Sequence, residues 1–119
     1  VGTAPLFATL ERSEQRHDMP PFNLMKSWVD HKKDLDLKTP FNFVCCADII
    51  GGNSGSPVVN KNGEVIGLIF DGNVESLVGD FVYDERQNRA VAVDSRAIIE
   101  SMRKVYNASA LADEIIGKK

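Results

Sequence analysis

At 119 residues the chain is one domain at most, long enough for a real core but too short for two full barrels. Its 43% hydrophobic and 26% charged content is ordinary for a globular chain, and a net charge of -3 gives no reason to expect nucleic acid or an acidic membrane surface as partner. No apolar run is long enough to span a bilayer, and the chain opens at Val1 with nothing like a signal peptide, as an excised piece of a longer protein would.

Two segments are expected, a mixed lead-in over 1–39 and a β-rich segment with a C-terminal helix over 40–119. In the lead-in, Leu6 to Arg16 fits strand or helix, Pro20-Pro21 interrupts it, and Phe22 to Lys33 has weak helical spacing at Leu24, Met25, Trp28 and His31. Phe41 to Cys46 reads as a strand after Pro40. Pro57 to Asn60 and Glu64 to Phe70 read as a hairpin about Asn62-Gly63. Asp80 to Tyr83 and Ala90 to Val93 read as a second strand pair across the polar turn Asp84 to Asn88. From residue 94 the pattern turns helical, with Asp94 or Ser95 able to cap. Ile98, Ile99, Met102, Val105 and Tyr106 then share one face until Asn107 and Ala108 break it. A short final turn runs through Leu111, Ile115 and Ile116, and neither repeats nor low-complexity tracts occur.

The chemistry concentrates in Gly51-Gly52-Asn53-Ser54-Gly55-Ser56-Pro57, where glycines permit a sharp turn close to a substrate backbone. This run, followed by strand, Asn-Gly turn and strand, resembles the nucleophile loop of chymotrypsin-type serine peptidases. Ser54 is the candidate nucleophile, with Ser56 as a weaker rival, and the Gly52 and Ser54 N–H groups are the expected oxyanion donors. A serine hydroxyl needs a base, and the only histidines, His17 and His31, lie in polar runs that read as solvated faces. The catalytic His and Asp are therefore expected elsewhere in a longer chain. Adjacent Cys45 and Cys46 read as reduced or buried thiols and offer no metal site.

Over about the last two thirds of the chain the combination becomes specific. Asp48 through Val58, Gly67 through Asn73, Gly79-Asp80 and Val93 through Arg96 together resemble the C-terminal part of the bacterial dipeptidyl-peptidase 7/11 family. The resemblance implies a mainly β fold, the C-terminal barrel of a chymotrypsin-like double β-barrel closed by a C-terminal α-helix. It also implies a parent chain with a first barrel and an inserted helical domain, commonly a homodimer. Such enzymes are periplasmic or cell-surface, use no metal or organic cofactor, and release dipeptides from peptide N-termini. By motif, Ser54 corresponds to the nucleophile and Asp71 to the carboxylate that grips the substrate's α-ammonium, with Phe70, Gly72 and Asn73 beside it in the substrate site. Glycine at position 72 goes with an apolar second substrate residue, where arginine goes with an acidic one. Val74 departs from the Trp that many relatives carry after the Asn. Two rivals stay open. Asp48, six residues before Ser54, sits where trypsin-like endopeptidases carry the pocket carboxylate for basic side chains, and a catalytically silent peptide-binding barrel is the non-enzyme alternative.

Overall fold

Branched and aromatic side chains follow Pro40, and they form a strand, β2 (Pro40–Cys45), in the computed structural model, which describes residues 3–73 and 88–118. The other strands are β1 (Thr3–Pro5), β3 (Pro57–Val59), β4 (Val65–Gly72) and β5 (Ala90–Asp94). They make a five-stranded sheet in the order β1-β2-β5-β4-β3, with antiparallel β2/β5, β5/β4 and β4/β3 pairs. The expected hairpin about Asn62-Gly63 is the β3/β4 pair. The expected strand over Asp80 to Tyr83 lies outside the described residues, as does its turn up to residue 87. A closed barrel is not what the described strands form: the sheet is open, with β1 and β3 at its edges.

The described residues fall into two compact units, one of 3–4, 40–73 and 88–95, the other of 5–39 and 96–118. In the β unit, registered pairs define one buried face: Phe43 and Ile69 both oppose Ala92, Cys45 opposes Ala90, and Gly67 opposes Asp94. Phe43, Ile69, Ala90 and Ala92 form its core, with Cys45, Ala47, Ile49, Val58 and Ile66 packed against them. Gly67 is obligatory there. A Cβ would stand 2.5 Å from the Val93 carbonyl oxygen and 2.7 Å from the Phe43 ring, well inside contact distance. Asn42, Leu68, Val91 and Val93 lie on the opposite, half-buried face.

The helical unit settles what the lead-in sequence left open. Leu6 to Gln15 is a helix, α1 (Leu6–Gln15), because Leu6, Leu10 and Ser13 recur on one buried face at helical spacing. It ends where His17 and Asp18 adopt left-handed backbone angles, with the Ser13 hydroxyl donating to the Asp18 carboxylate at 2.7 Å. The weak periodicity from Phe22 yields only a short helix, α2 (Lys26–Asp30). The C-terminal helix appears as α3 (Ser95–Lys104), then a left-handed Asn107, then α4 (Ser109–Ile115). Ala97 and Val105 are buried, and Ile98, Ile99 and Met102 are half-buried. Tyr106 departs from that face: it is exposed and accepts a hydrogen bond from Trp28 Nε1 at 3.0 Å. Arg103 donates to Asp113 at 2.5 Å, and this bond holds the Asp113 carboxyl below the usual aspartate range.

Candidate active site

Two consecutive turns build the Ser54 loop. In the first, Asn53 N–H donates to the Ile50 carbonyl at 3.2 Å, and Gly52 takes a φ of +98°. In the second, Ser56 N–H donates to the Asn53 carbonyl at 2.9 Å, and Gly55 takes a φ of +88°. A positive φ at the third turn residue, with none at the second, is the type II pattern that calls for glycine there. Ser54 occupies the second position of its turn and is exposed. Its hydroxyl has no hydrogen-bond partner among the described residues, and neither have the N–H groups of Gly52 and Ser54. Two exposed donors flanking an exposed hydroxyl are what a developing oxyanion requires.

The loop is fastened to β4. Gly55 N–H donates to the Ile69 carbonyl at 2.7 Å, and Ile69 N–H donates back to the Ser56 carbonyl at 2.9 Å. Asp71 follows two residues later, about 7 Å along a strand. Strict alternation would put Asp71 on the core face with Ile69. A β-bulge prevents this: Ile69 opposes Ala92, Asp71 opposes the next residue Val91, and Phe70 is the extra residue. Asp71 consequently shares a face with Leu68 and Val93 and is exposed, while Gly72 opposes Ala90. The carboxylate accepts the Gly72 N–H at 2.8 Å through Oδ1, and Oδ2 has no partner among the described residues. Phe70 is exposed beside it.

Asn73 holds the chain rather than standing open. Its N–H donates to the Arg89 carbonyl, its Oδ1 accepts the Arg89 N–H, both at 3.0 Å, and the pair bridges the two ends of the segment 74–87. Asp48 is exposed and has no partner among the described residues. No hydrogen bond joins Ser54 to a histidine among those residues, and His31 Nδ1 donates to its own helix at the Ser27 carbonyl, 2.8 Å away. Burial, and less strongly the neighbouring Cys46, pushes the Cys45 thiol up, whereas Cys46 is exposed. Among the described residues no three His, Cys, Asp or Glu side chains gather as metal ligands would, and no helix is long and apolar enough to cross a membrane. Sequence reasoning passed over Asn53. An Asn set between Gly-Gly and Ser-Gly is the available signal, since such side chains bond to nearby backbone in turns.

Comparison with known proteins gives this geometry a class, the peptidases. The family model described as Peptidase S46 matches residues 3–117, and the chain belongs to that family. It is 49% identical over 76 residues to the dipeptidyl-peptidase 7 of Phocaeicola vulgatus, covering 64% of this chain and 10% of the relative. It is 45% identical over 89 residues to an Asp/Glu-specific dipeptidyl-peptidase of Shewanella putrefaciens, covering 75% of this chain and 12% of the relative. A crystal structure of Porphyromonas endodontalis DPP11 in complex with substrate superposes with a TM-score of 0.80 at 28% identity, covering 96% of this chain and 18% of that one. The chain thus spans only about a tenth of the curated relatives' length. Relatives bearing both kinds of name match at similar identity, so overall similarity does not separate their specificities.

Proposed function

We propose that this chain is the serine-bearing C-terminal segment of a serine dipeptidyl peptidase that releases N-terminal dipeptides with an apolar second residue. In this reading the open sheet is part of the second barrel of a chymotrypsin-like double barrel, and other segments of the parent complete it. Ser54 attacks the carbonyl of the substrate's second residue, giving its proton to a histidine supplied by the parent chain. The Gly52 and Ser54 N–H groups hold the oxyanion. Asp71 receives the α-ammonium through its unpaired oxygen, and the fixed spacing from Ser54 counts off two residues. Gly72 brings no charge to the pocket, so an acidic side chain would enter without a counter-ion and an apolar one is favoured. The parent works without a cofactor, as a periplasmic or cell-surface homodimer.

The observation that carries this reading is the pair of unpartnered N–H groups beside the Ser54 hydroxyl, fastened to the strand that exposes Asp71. Hydrolysis of fluorogenic dipeptides by the full-length parent tests it, using apolar, acidic and basic second residues with free and blocked N-termini. Cleavage of free-amine apolar substrates alone is expected. Cleavage of acidic ones would remove Gly72 as the specificity residue and leave the dipeptidyl-peptidase reading intact. A second reading, a chymotrypsin-type endopeptidase with Asp48 in its pocket, draws on the exposure of that carboxylate. Turnover of blocked, basic substrates would favour it.

A further inference from the structure

Resting on the reading of Ser54 as nucleophile, we propose that Asn53 is the positioning residue that pre-forms the oxyanion site, through its side-chain clamp on Ile50. Consecutive glycines at 51 and 52 allow the backbone turn, and they are also the least ordered dipeptide a chain can carry. An oxyanion donor is effective only when its direction is fixed before the charge develops. Something must therefore hold the Gly52 N–H still, and its own residue has no side chain for the task.

Asn53 supplies the constraint from the next position. Its Oδ1 accepts the Ile50 N–H at 2.7 Å, and its N–H donates to the Ile50 carbonyl at 3.2 Å, closing both ends of the Gly-Gly turn. Its carbonyl then accepts the Ser56 N–H at 2.9 Å, which closes the turn that carries Ser54. One residue thus ties together the turns presenting both donors. The amide is uncharged, so the clamp sets no negative charge beside a developing oxyanion, as aspartate would.

The test uses the full-length parent with Asn53→Ala and Asn53→Asp. Asn53→Ala is expected to lower kcat about 10- to 100-fold with KM within about twofold, because the lost interaction acts in the transition state. Asn53→Asp keeps an acceptor at the same reach and is expected to recover most of that loss, short of full because of its charge. In the wild type, the Ile50 amide is expected to exchange slowly with solvent deuterium despite lying in an exposed loop. A kcat within about twofold of wild type for Asn53→Ala, or Asn53→Asp as slow as Asn53→Ala, overturns the proposal. Rapid exchange at Ile50 overturns it too, whatever the variants do to folding. Failure of a phosphonate probe to label Ser54 in active wild-type enzyme refutes the nucleophile reading itself, and the positioning role goes with it. Labelled Ser54 with a dispensable Asn53 refutes the positioning role alone.

Discussion

The Ser54 loop and the Asn60 turn, six residues apart on either side of β3, are built from the same parts and spend them differently. Each has an asparagine whose Oδ1 accepts backbone N–H, and each has a glycine at positive φ, Gly55 at +88° and Gly63 at +81°. In the Asn60 turn, four of the five N–H groups from Asn60 to Glu64 are used internally: Asn60 to Glu64, Gly63 to the Asn60 carbonyl, and Asn62 and Glu64 to Asn60 Oδ1. In the Ser54 loop, from Ile50 to Ser56, the Gly51, Gly52 and Ser54 donors are left over, the last two being those that flank the oxyanion position. A turn that only reverses the chain satisfies its own donors, while one that serves chemistry keeps some for a ligand.

The largest effect that can break this contrast is at Ser54 itself. Ser54→Ala in the full-length parent should lower kcat by about a thousandfold or more while leaving thermal stability unchanged, since the hydroxyl is exposed and bonds to nothing described. Appreciable turnover without the hydroxyl would reduce the loop to a turn like its neighbour. Asp71→Asn comes next. It keeps the acceptor for the Gly72 N–H but removes the charge, and a hydrogen bond to a charged group is worth about 1.5–3 kcal/mol, or about 10- to 100-fold in kcat/KM for free-amine substrates. An equal loss on blocked substrates would show that Asp71 shapes the strand and does not hold the amine.

A matched glycine pair sharpens the comparison further. Gly55→Ala and Gly63→Ala each meet nothing within 4 Å, so both pay the same backbone penalty, about 1–2 kcal/mol for a Cβ at left-handed angles. Stability, read as the urea midpoint of the parent, should fall alike in the two variants. Activity should fall only for Gly55→Ala, because relaxing that turn moves Ser54. Equal activities would mean that the Ser54 loop tolerates distortion and that its geometry is incidental.

How much of this was legible before the structure depends on the range of the physics involved. The Asn62-Gly63 hairpin and the glycine-rich loop announce themselves through local turn chemistry, and β2, β4 and β5 through branched and aromatic runs. Leu6 to Gln15 could not be resolved from strand by composition, because its helical face emerges only once Leu6, Leu10 and Ser13 are seen to be buried together. The bulge at Phe70 was equally hidden. Alternation alone would bury Asp71 with Ile69, and only the register against β5 shows that it is turned outward. Asn73 enters the substrate site only through the motif resemblance, and the bond its Oδ1 accepts from the Arg89 N–H, 16 residues along the chain, is a contact that local pattern does not announce. Barrel closure is non-local, and the strands described here remain an open sheet.

The smallest expected effect is the most direct check on the division of labour. Asn60→Ala removes the acceptor for the Asn62 and Glu64 N–H groups, at 2.9 and 3.0 Å, together with the Nδ2 bond to Glu64 at 2.6 Å. The site is exposed, so water replaces most of what is lost, and the net cost should be about 1 kcal/mol. Deuterium exchange at Asn62 and Glu64 should quicken about fivefold in consequence, with kcat unchanged. The equivalent change at Asn53 removes a single acceptor bond and yet is expected to cost far more activity. If Asn60→Ala slowed catalysis as much as Asn53→Ala, the β3/β4 hairpin would be transmitting its order to Ser54 as a whole, and the local clamp would not be what distinguishes the two loops.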